Sequence, residues 1–343
     1  MKLDQILKYF SNERFSFLPR KKIDWDKTFL KCNTPIVYYS SNFIDFRIEC
    51  FSGNKIKCDD FSFGVQLDGK TICLLPLLFF ENGDENGLSY LNRSIYPPIF
   101  LDNVSSKIQK EILNLLIEKL QSLLKKINLT DVEFVDQLYP SDNLSIWHKI
   151  VYKRAKTCNI LRESFVKLSF GYSKIKSNYR KSYKSLISKG NKLFQAFKLE
   201  KNHKSVWEEF KNLHFKSAGR KTRSDKSWEI LFSYLNAKKY DFYFCRDNNG
   251  VMIGGSLIMK SAFEAFYSIA AYDRDLFHLP IGHFLQDFII KDLIKTNIHW
   301  YRLGRYYSIN DFDKPTEKEI QIGHFKSGFS THLIANFRFK EFK

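Results

Sequence analysis

Paired cysteines, metal-ligand spacings and long apolar runs are all absent from this chain of 343 residues. Its cysteines, Cys32, Cys50, Cys58, Cys73, Cys158 and Cys245, include no Cys-x-x-Cys pair, and none stands beside histidine at a zinc-ligand spacing. No metal site is expected, and the thiols read as reduced, mostly buried side chains of a cytoplasmic protein. The longest apolar run extends only from Thr71 to Phe80 and is broken by Pro76. That is too short to span a bilayer, so no transmembrane segment is expected. A basic stretch followed by an apolar core is missing from the N-terminus, so no secretory leader is expected. Glycine-rich phosphate loops, strained nucleophile turns and Cys/His pairs are missing too, which disfavours metal and covalent mechanisms. No short-period repeat is visible.

Acidic side chains are in short supply. The 37 Asp and Glu stand against 55 Lys and Arg, for a net charge of +18. Such an excess favours anionic partners: nucleic acid, nucleotide-bearing substrates or an acidic membrane surface. The charge is clustered. Lys174, Lys176, Arg180, Lys181, Lys184, Lys189 and Lys192 follow one another with no acid between them. Tyr172, Tyr179 and Tyr183 interleave with them, a pattern that suits either RNA, by charge and stacking, or anionic lipid headgroups. Lys216, Arg220, Lys221, Arg223 and Lys226 form a second cluster, opposed only by Asp225.

What the chain has in plenty is core-forming residues, 44% hydrophobic and 16% aromatic, which rules out global disorder. The length suits two domains. In the first half, Ile36–Tyr39 reads as a strand. Phe61–Leu67 and Thr71–Phe80 flank a Leu67-Asp68-Gly69-Lys70 hairpin turn. Residues 82–87 read as a loop, Leu88–Leu91 and Ile99–Leu101 as short strands, and Val132–Val135 as another. Val104–Lys126 is an amphipathic helix, apolar at Ile108, Ile112, Leu115, Leu116 and Leu123. A similar order recurs after a junction near residues 138–160. Leu161–Leu168 reads as a strand, Tyr172–Ser188 as a basic helix ended by Gly190, and Phe194–Leu199 as a strand. Helices follow at Lys204–Lys216 and Ser224–Asn236. Then comes an antiparallel meander of Phe242–Cys245, Val251–Lys260 and Ala262–Ala271. The predicted class is α/β with mixed sheets in two tandem domains, 1–150 and 151–343.

The stretch from Tyr267 to Phe329 carries the chemistry. It runs strand, Pro280-Ile281-Gly282, helix Gly282–Lys295, strand His299–Leu303, polar loop, then His324-Phe325-Lys326-Ser327-Gly328-Phe329. A strand turning tightly into a helix aims free N–H groups at whatever lies over the helix start, which suits a phosphate. A cation follows close behind. This favours group transfer from a phosphate-bearing donor over hydrolysis or redox chemistry. Arg220 and Arg223 lie between two predicted helices, where they can grip phosphate bidentately or cap helices. His214 is a candidate base for an attacking amine or a structural histidine, and Asp273 is a second candidate base or a loop carboxylate paired to Arg274.

Several blocks stand in a telling order: Leu213-His214-Phe215-Lys216-Ser217-Ala218-Gly219-Arg220-Lys221-Thr222-Arg223-Ser224 with Ser227-Trp228, the meander end Ala265–Ala271, Pro280-Ile281-Gly282, Tyr301-Arg302-Leu303-Gly304, and Phe325-Lys326-Ser327-Gly328-Phe329. In order and spacing they resemble Fem-type peptidoglycan aminoacyltransferases and their relatives with tandem GCN5-related N-acetyltransferase (GNAT) domains. The resemblance covers residues 160–335. Over 35–150 it rests on strand order and Tyr96-Pro97-Pro98-Ile99-Phe100. It implies two tandem GNAT-like domains, the second carrying the donor site, and an N-acyltransferase working on an amine of a cell-envelope sugar or peptide precursor. The implied donor is an acyl-coenzyme A or an aminoacyl-transfer RNA. Pro280, Ile281, Gly282 and His283 would hold its pyrophosphate, although no Arg/Gln-x-x-Gly-x-Gly/Ala loop is present. Lys326 would stabilise the oxyanion. Tyr267, Arg305 and Phe325 join Arg220 and Arg223 as substrate-side candidates. Many Fem enzymes carry a coiled-coil arm thought to assist with transfer RNA. No heptads occur here, which weighs toward an acyl thioester. The implied place of work is the cytoplasm, with peripheral contact at the inner face of the membrane. A non-catalytic reading also stands: a degenerate acyltransferase fold that docks on RNA or anionic membrane.

Overall fold

The computed structural model describes residues 3–82, 85–91, 94–129, 132–137, 144–200 and 203–342. Part of the expected 82–87 loop and of the 138–160 junction lies outside them. The chain divides into one unit of Met1–Leu161 with Ile334–Lys343, and a second of Arg162–Leu333. The division falls after residue 161 rather than 150, and the C-terminal residues return to the first unit.

In the first unit, the amphipathic pattern yields the helix Ser106–Lys126, whose Ser105 side chain accepts the Ile108 N–H. Its Ile112, Leu116, Leu120 and Leu123 meet Phe63, Leu75, Phe134 and Trp147 in one core. Phe63–Leu67 and Lys70–Leu75 pair through Asp68-Gly69, both with positive φ (50° and 72°), the hairpin geometry that Asp-Gly favours. Two expectations fail here. Ile36–Tyr39 is not a strand: Val37–Tyr39 is one 3-10 turn, and Ser40 then caps a helix, Ser41–Ser52, by accepting the Phe43 N–H. Glu85–Ser89 is a strand paired with Leu78–Asn82, where a loop and a later strand were expected.

The second unit is a mixed sheet with helices on both faces. Its elements are β1 (Ala155–Lys167, in this unit from Arg162), α1 (Gly171–Asn178), α2 (Lys181–Leu193), β2 (Gln195–Lys198), α3 (Lys204–Ala218), α4 (Asp225–Asn236), β3 (Tyr240–Arg246), β4 (Met252–Lys260), β5 (Glu264–Tyr272), α5 (Ile281–Leu293), β6 (Trp300–Tyr306) and α6 (Glu317–Ser327). The strand order is β2-β3-β4-β5-β6-β1. All neighbours are antiparallel except β5 and β6, which run parallel. On one face, Ile187 of α2 and Leu285, Ile289 and Leu293 of α5 bury Tyr243, Ile253 and Ile258. On the other, Phe210 of α3 packs on Phe242 with ring centres 4.6 Å apart, beside Trp207 and Trp228.

The expected basic helix Tyr172–Ser188 is two helices, because the chain turns at Tyr179–Arg180, and Gly190 lies inside α2 against Phe284 rather than ending it. Its tyrosines are not a stacking platform either. Tyr179 and Tyr183 are buried, and Tyr172 donates to Asp287 at 2.9 Å. The exposed face carries Lys174, Lys176, Lys181, Lys184, Lys189 and Lys192.

Candidate functional site

β5 and β6 pair only where Glu264–Phe266 faces Trp300–Arg302. Past that point β6 follows β1, and from Tyr267 onward β5 keeps only β4 as a neighbour. At the root of this divergence Arg302, wholly buried, meets the wholly buried Glu264 at 3.0 Å, between the rings of Phe165 and Phe266. A cavity of about 750 Å³ opens along the freed stretch of β5, bounded by α3, the start of α5 and one face of α6. That volume suits a cofactor-sized ligand.

The start of α5 faces this cavity without a cap. Pro280 precedes the helix and offers no side-chain acceptor. The Ile281 N–H bonds to Leu279 O and the Phe284 N–H to Pro280 O, both at 3.0 Å. The N–H groups of Gly282 and His283 have no acceptor among the described residues, and both residues line the cavity. Two adjacent unfilled donors at a positive helix end form an anion-binding geometry. A Cβ at 282 would stand 3.1 Å from Cζ of Phe325, so a side chain there would press on that ring. His283 is packed between Tyr183 and Phe325, ring centres 4.4 and 5.1 Å away. Burial, with Arg180 assisting, pushes its imidazole down to about 4, so it is neutral at physiological pH.

Lys326 enters from α6. Thr316 and Glu319 close a capping box that fixes this helix, and its face Lys318, Ile322, Phe325, Lys326 borders the cavity. The Lys326 ammonium lies 5.6 Å above the Tyr267 ring and against Gly304 of β6. Gly304 has φ +97°, and a Cβ there would come within 3.1 Å of Nζ, so a side chain at 304 would be strained and would press on the ammonium. Among the described residues no side chain forms a salt bridge with it. Burial draws the ammonium down to about 8, with Glu163 pulling the other way. The cavity floor is hydroxylic. Tyr267 and Tyr272 hydroxyls lie 3.0 Å apart, and that of Tyr272 lies 3.4 Å from Ser256 Oγ. Burial raises both phenols, so they remain protonated.

The cavity therefore gathers Tyr267, Ile281, Gly282, His283, Phe325, Lys326 and His214. His214, on α3, receives a hydrogen bond from Arg223 Nη1 at 3.2 Å through Nε2. Burial and then Arg223 push its imidazole down to about 4. It is neutral, with one lone pair occupied. Arg220, Arg223, Asp273 and Arg305 do not line the cavity. Asp273 takes Lys216 at 3.0 Å rather than Arg274 and accepts the Asp275 N–H, which ties α3 to the loop after β5. Arg305 is held by Asp311 at 2.9 Å and by Asp313. Arg220 is exposed beyond Gly219 at the end of α3.

Sequence reasoning missed Tyr272, Ser268, Arg274 and Lys318 as lining residues. The helical spacing Lys318, Ile322, Phe325 carried the signal for α6. The strand residues had none, because an extra residue at Ser268 exchanges the faces of β5 without changing its composition.

No protein-family model and no curated protein sequence matches the chain. Solved structures do. FemX aligns over 95% of this chain and 97% of its own, with TM-score 0.66 at 11% identity. A conserved protein of unknown function from Bacteroides thetaiotaomicron aligns over 99% and 98%, with TM-score 0.55 at 10% identity. A C-terminal domain assigned to a lysylphosphatidylglycerol synthetase from Agrobacterium fabrum aligns over 79% and 81%, with TM-score 0.54 at 10% identity. The fold of this chain is mixed α/β and similar to that of FemX, the Fem-type fold that the resemblance implied.

Proposed function

We propose that this protein is an N-acyltransferase that moves an acyl group from a phosphate-bearing donor to an amine. The observation that carries the reading is the Lys326 ammonium, inserted beside Gly304 into a cavity that the uncapped start of α5 also faces. One end suits the donor's phosphates and the other the reacting carbonyl.

In the reaction, the acceptor nitrogen attacks the carbonyl carbon of a thioester or ester. A C–N bond forms, the C–S or C–O bond breaks, and the nitrogen's proton leaves with the departing thiol or hydroxyl. Lys326, charged at neutral pH, stabilises the oxyanion that develops on the carbonyl, an effect worth roughly 3 kcal/mol for a preorganised donor. The protonated Tyr267 and Tyr272 are within reach of the same region. Binding both reactants side by side supplies the remaining acceleration.

The acceptor in this reading is an amino sugar or peptide amine on a cell-envelope precursor, met in the cytoplasm or at the inner membrane face. Likeness in fold to FemX and to a lysylphosphatidylglycerol synthetase domain supports that setting. Among the described residues no helix is long and apolar enough to cross a membrane. The exposed lysines of α1 and α2 favour a second reading of the donor, aminoacyl-transfer RNA, whose phosphates they would meet.

The test is native mass spectrometry with coenzyme A, acyl-coenzyme A and aminoacyl-transfer RNA, followed by transfer assays with Lys326→Ala. Donor retained but transfer lost in the variant supports the enzyme. Transfer at the wild-type rate in the variant removes Lys326 from the mechanism. No binding of either donor removes the enzyme reading.

A further inference from the structure

We infer that the group transferred in this cavity carries no positive charge, so that the site accepts uncharged or anionic acyl groups and discriminates against aminoacyl groups. This rests on the acyl-transfer reading above.

The charges lining the cavity are of one sign. Arg274, Lys318 and Lys326 border it, and no aspartate or glutamate does among the described residues. Its two histidines, His214 and His283, are neutral at physiological pH and add no negative charge. The nearest carboxylates along the chain are already engaged, and Glu163, whose field reaches Lys326, stands outside the lining. Asp273 and Asp275 hold Lys216 at 3.0 and 2.8 Å. Glu319 is turned back onto Thr316, whose N–H it accepts at 2.8 Å.

An ammonium entering this space loses water against apolar wall, notably Ala270, Leu279, Ile281 and Phe325. It finds no counter-ion there to replace that hydration. It also meets the buried Lys326 ammonium, while Arg274 and Lys318 add a weaker, solvent-screened repulsion from the rim. A hydroxyl or carboxylate on the acyl group meets the opposite situation, because Arg274 and Lys318 are both donors. Selection by charge thus follows from the lining alone, whichever carrier brings the acyl group in.

Matched pairs that differ only in that charge test the inference. On coenzyme A the pair is propionyl against β-alanyl. On transfer RNA it is phenyllactyl against phenylalanyl, the first made by deamination. On whichever carrier binds, the uncharged member should bind at least about tenfold more tightly. Replacing Arg274→Glu and Lys318→Glu together should narrow that gap, and both residues are exposed, so the fold should tolerate the change. Equal or tighter binding of the ammonium-bearing member, with the carrier still bound, overturns this inference and leaves acyl transfer standing. Binding of neither carrier in any acylated form overturns acyl transfer and this inference with it.

Discussion

The hydroxyls of Tyr267 and Tyr272 meet at 3.0 Å although the residues stand five apart on one strand. Regular alternation puts residues at odd separation on opposite faces. Here the register of β5 against β4 shifts between Leu257 and Ile258, so Ser268 is an extra residue on β5. The bulge reverses the alternation. Ala265 and Tyr267 before it, and Ala270 and Tyr272 after it, all pack into the same core. Deleting Ser268 should turn Tyr267 off the cavity floor and abolish donor binding. A Tyr267→Phe, Tyr272→Phe double-mutant cycle, read by denaturant unfolding, should give a coupling of about 1 kcal/mol. Additive single effects would show that the two hydroxyls are independent.

Lys326 should oppose stability. Its folded-state value of about 8 lies below the usual 10.5, so the unfolded chain binds the proton more tightly across that window. Stability therefore rises as pH climbs from about 8 toward 10.5, and the full deficit is present at pH 7. Lys326→Met should be more stable than wild type at pH 7 by about 1–3 kcal/mol. Its advantage should shrink through the alkaline range, and its transfer activity should be lost. Urea unfolding at pH 7 and pH 10 checks the sign.

Gly304→Ala should harm transfer more than folding. The new methyl meets Nζ at 3.1 Å, and the side chain must also adopt φ +97°. The backbone strain should amount to about 1–2 kcal/mol. Displacing the ammonium by a fraction of an ångström should lower kcat about tenfold while leaving KM for the donor near its wild-type value. A matching rise in KM would point to a binding role for Lys326 instead.

The buried pair Arg302–Glu264 makes a stability prediction. Glu264→Gln removes the nearer carboxylate from a buried guanidinium that Glu163 meets at 3.8 Å, and should lower stability by about 3–5 kcal/mol. Removing both charges, as Glu264→Leu with Arg302→Met, should restore much of the loss. A double variant as unstable as the single one would contradict this.

Acid should weaken the second unit through its histidines. His214 and His283 both titrate near 4 in the folded protein, below the usual 6.5. The unfolded chain thus holds the extra protons first, and stability falls as pH drops from about 6.5 to about 4. His283→Phe fits the aromatic surroundings of Tyr183 and Phe325 and should flatten that slope. Thermal midpoints from pH 4 to pH 7 for variant and wild type decide it.

Sequence periodicity located the elements of the second unit well where one face is apolar and turns are marked. The meander, the helix after Pro280 and the strand leading to Gly304 all follow that rule. It was blind to the bulge at Ser268, because one inserted residue leaves local composition unchanged while exchanging the strand's faces. It also misread the basic segment. Lysine spacing marked a helix but not the break at Tyr179–Arg180, and tyrosines that composition left free for stacking are held in the core by Phe329 and His283. Arginine roles were equally hidden. Arg223 and Arg305 are engaged by His214 and by Asp311, and such partners are set by tertiary contact rather than spacing.

The return of Ile334–Lys343 to the first unit sets an order of assembly. Phe339 is fully buried in that unit's core, and Arg338 is paired with Glu133. During synthesis every residue of the second unit emerges before the first unit has its last strand. The intervening residues can therefore fold while the opening half of the chain still waits for its final segment. A chain cut after Leu333 should retain the cavity but leave Phe134 and Trp147 under-covered, so that loss of solubility precedes loss of ligand binding.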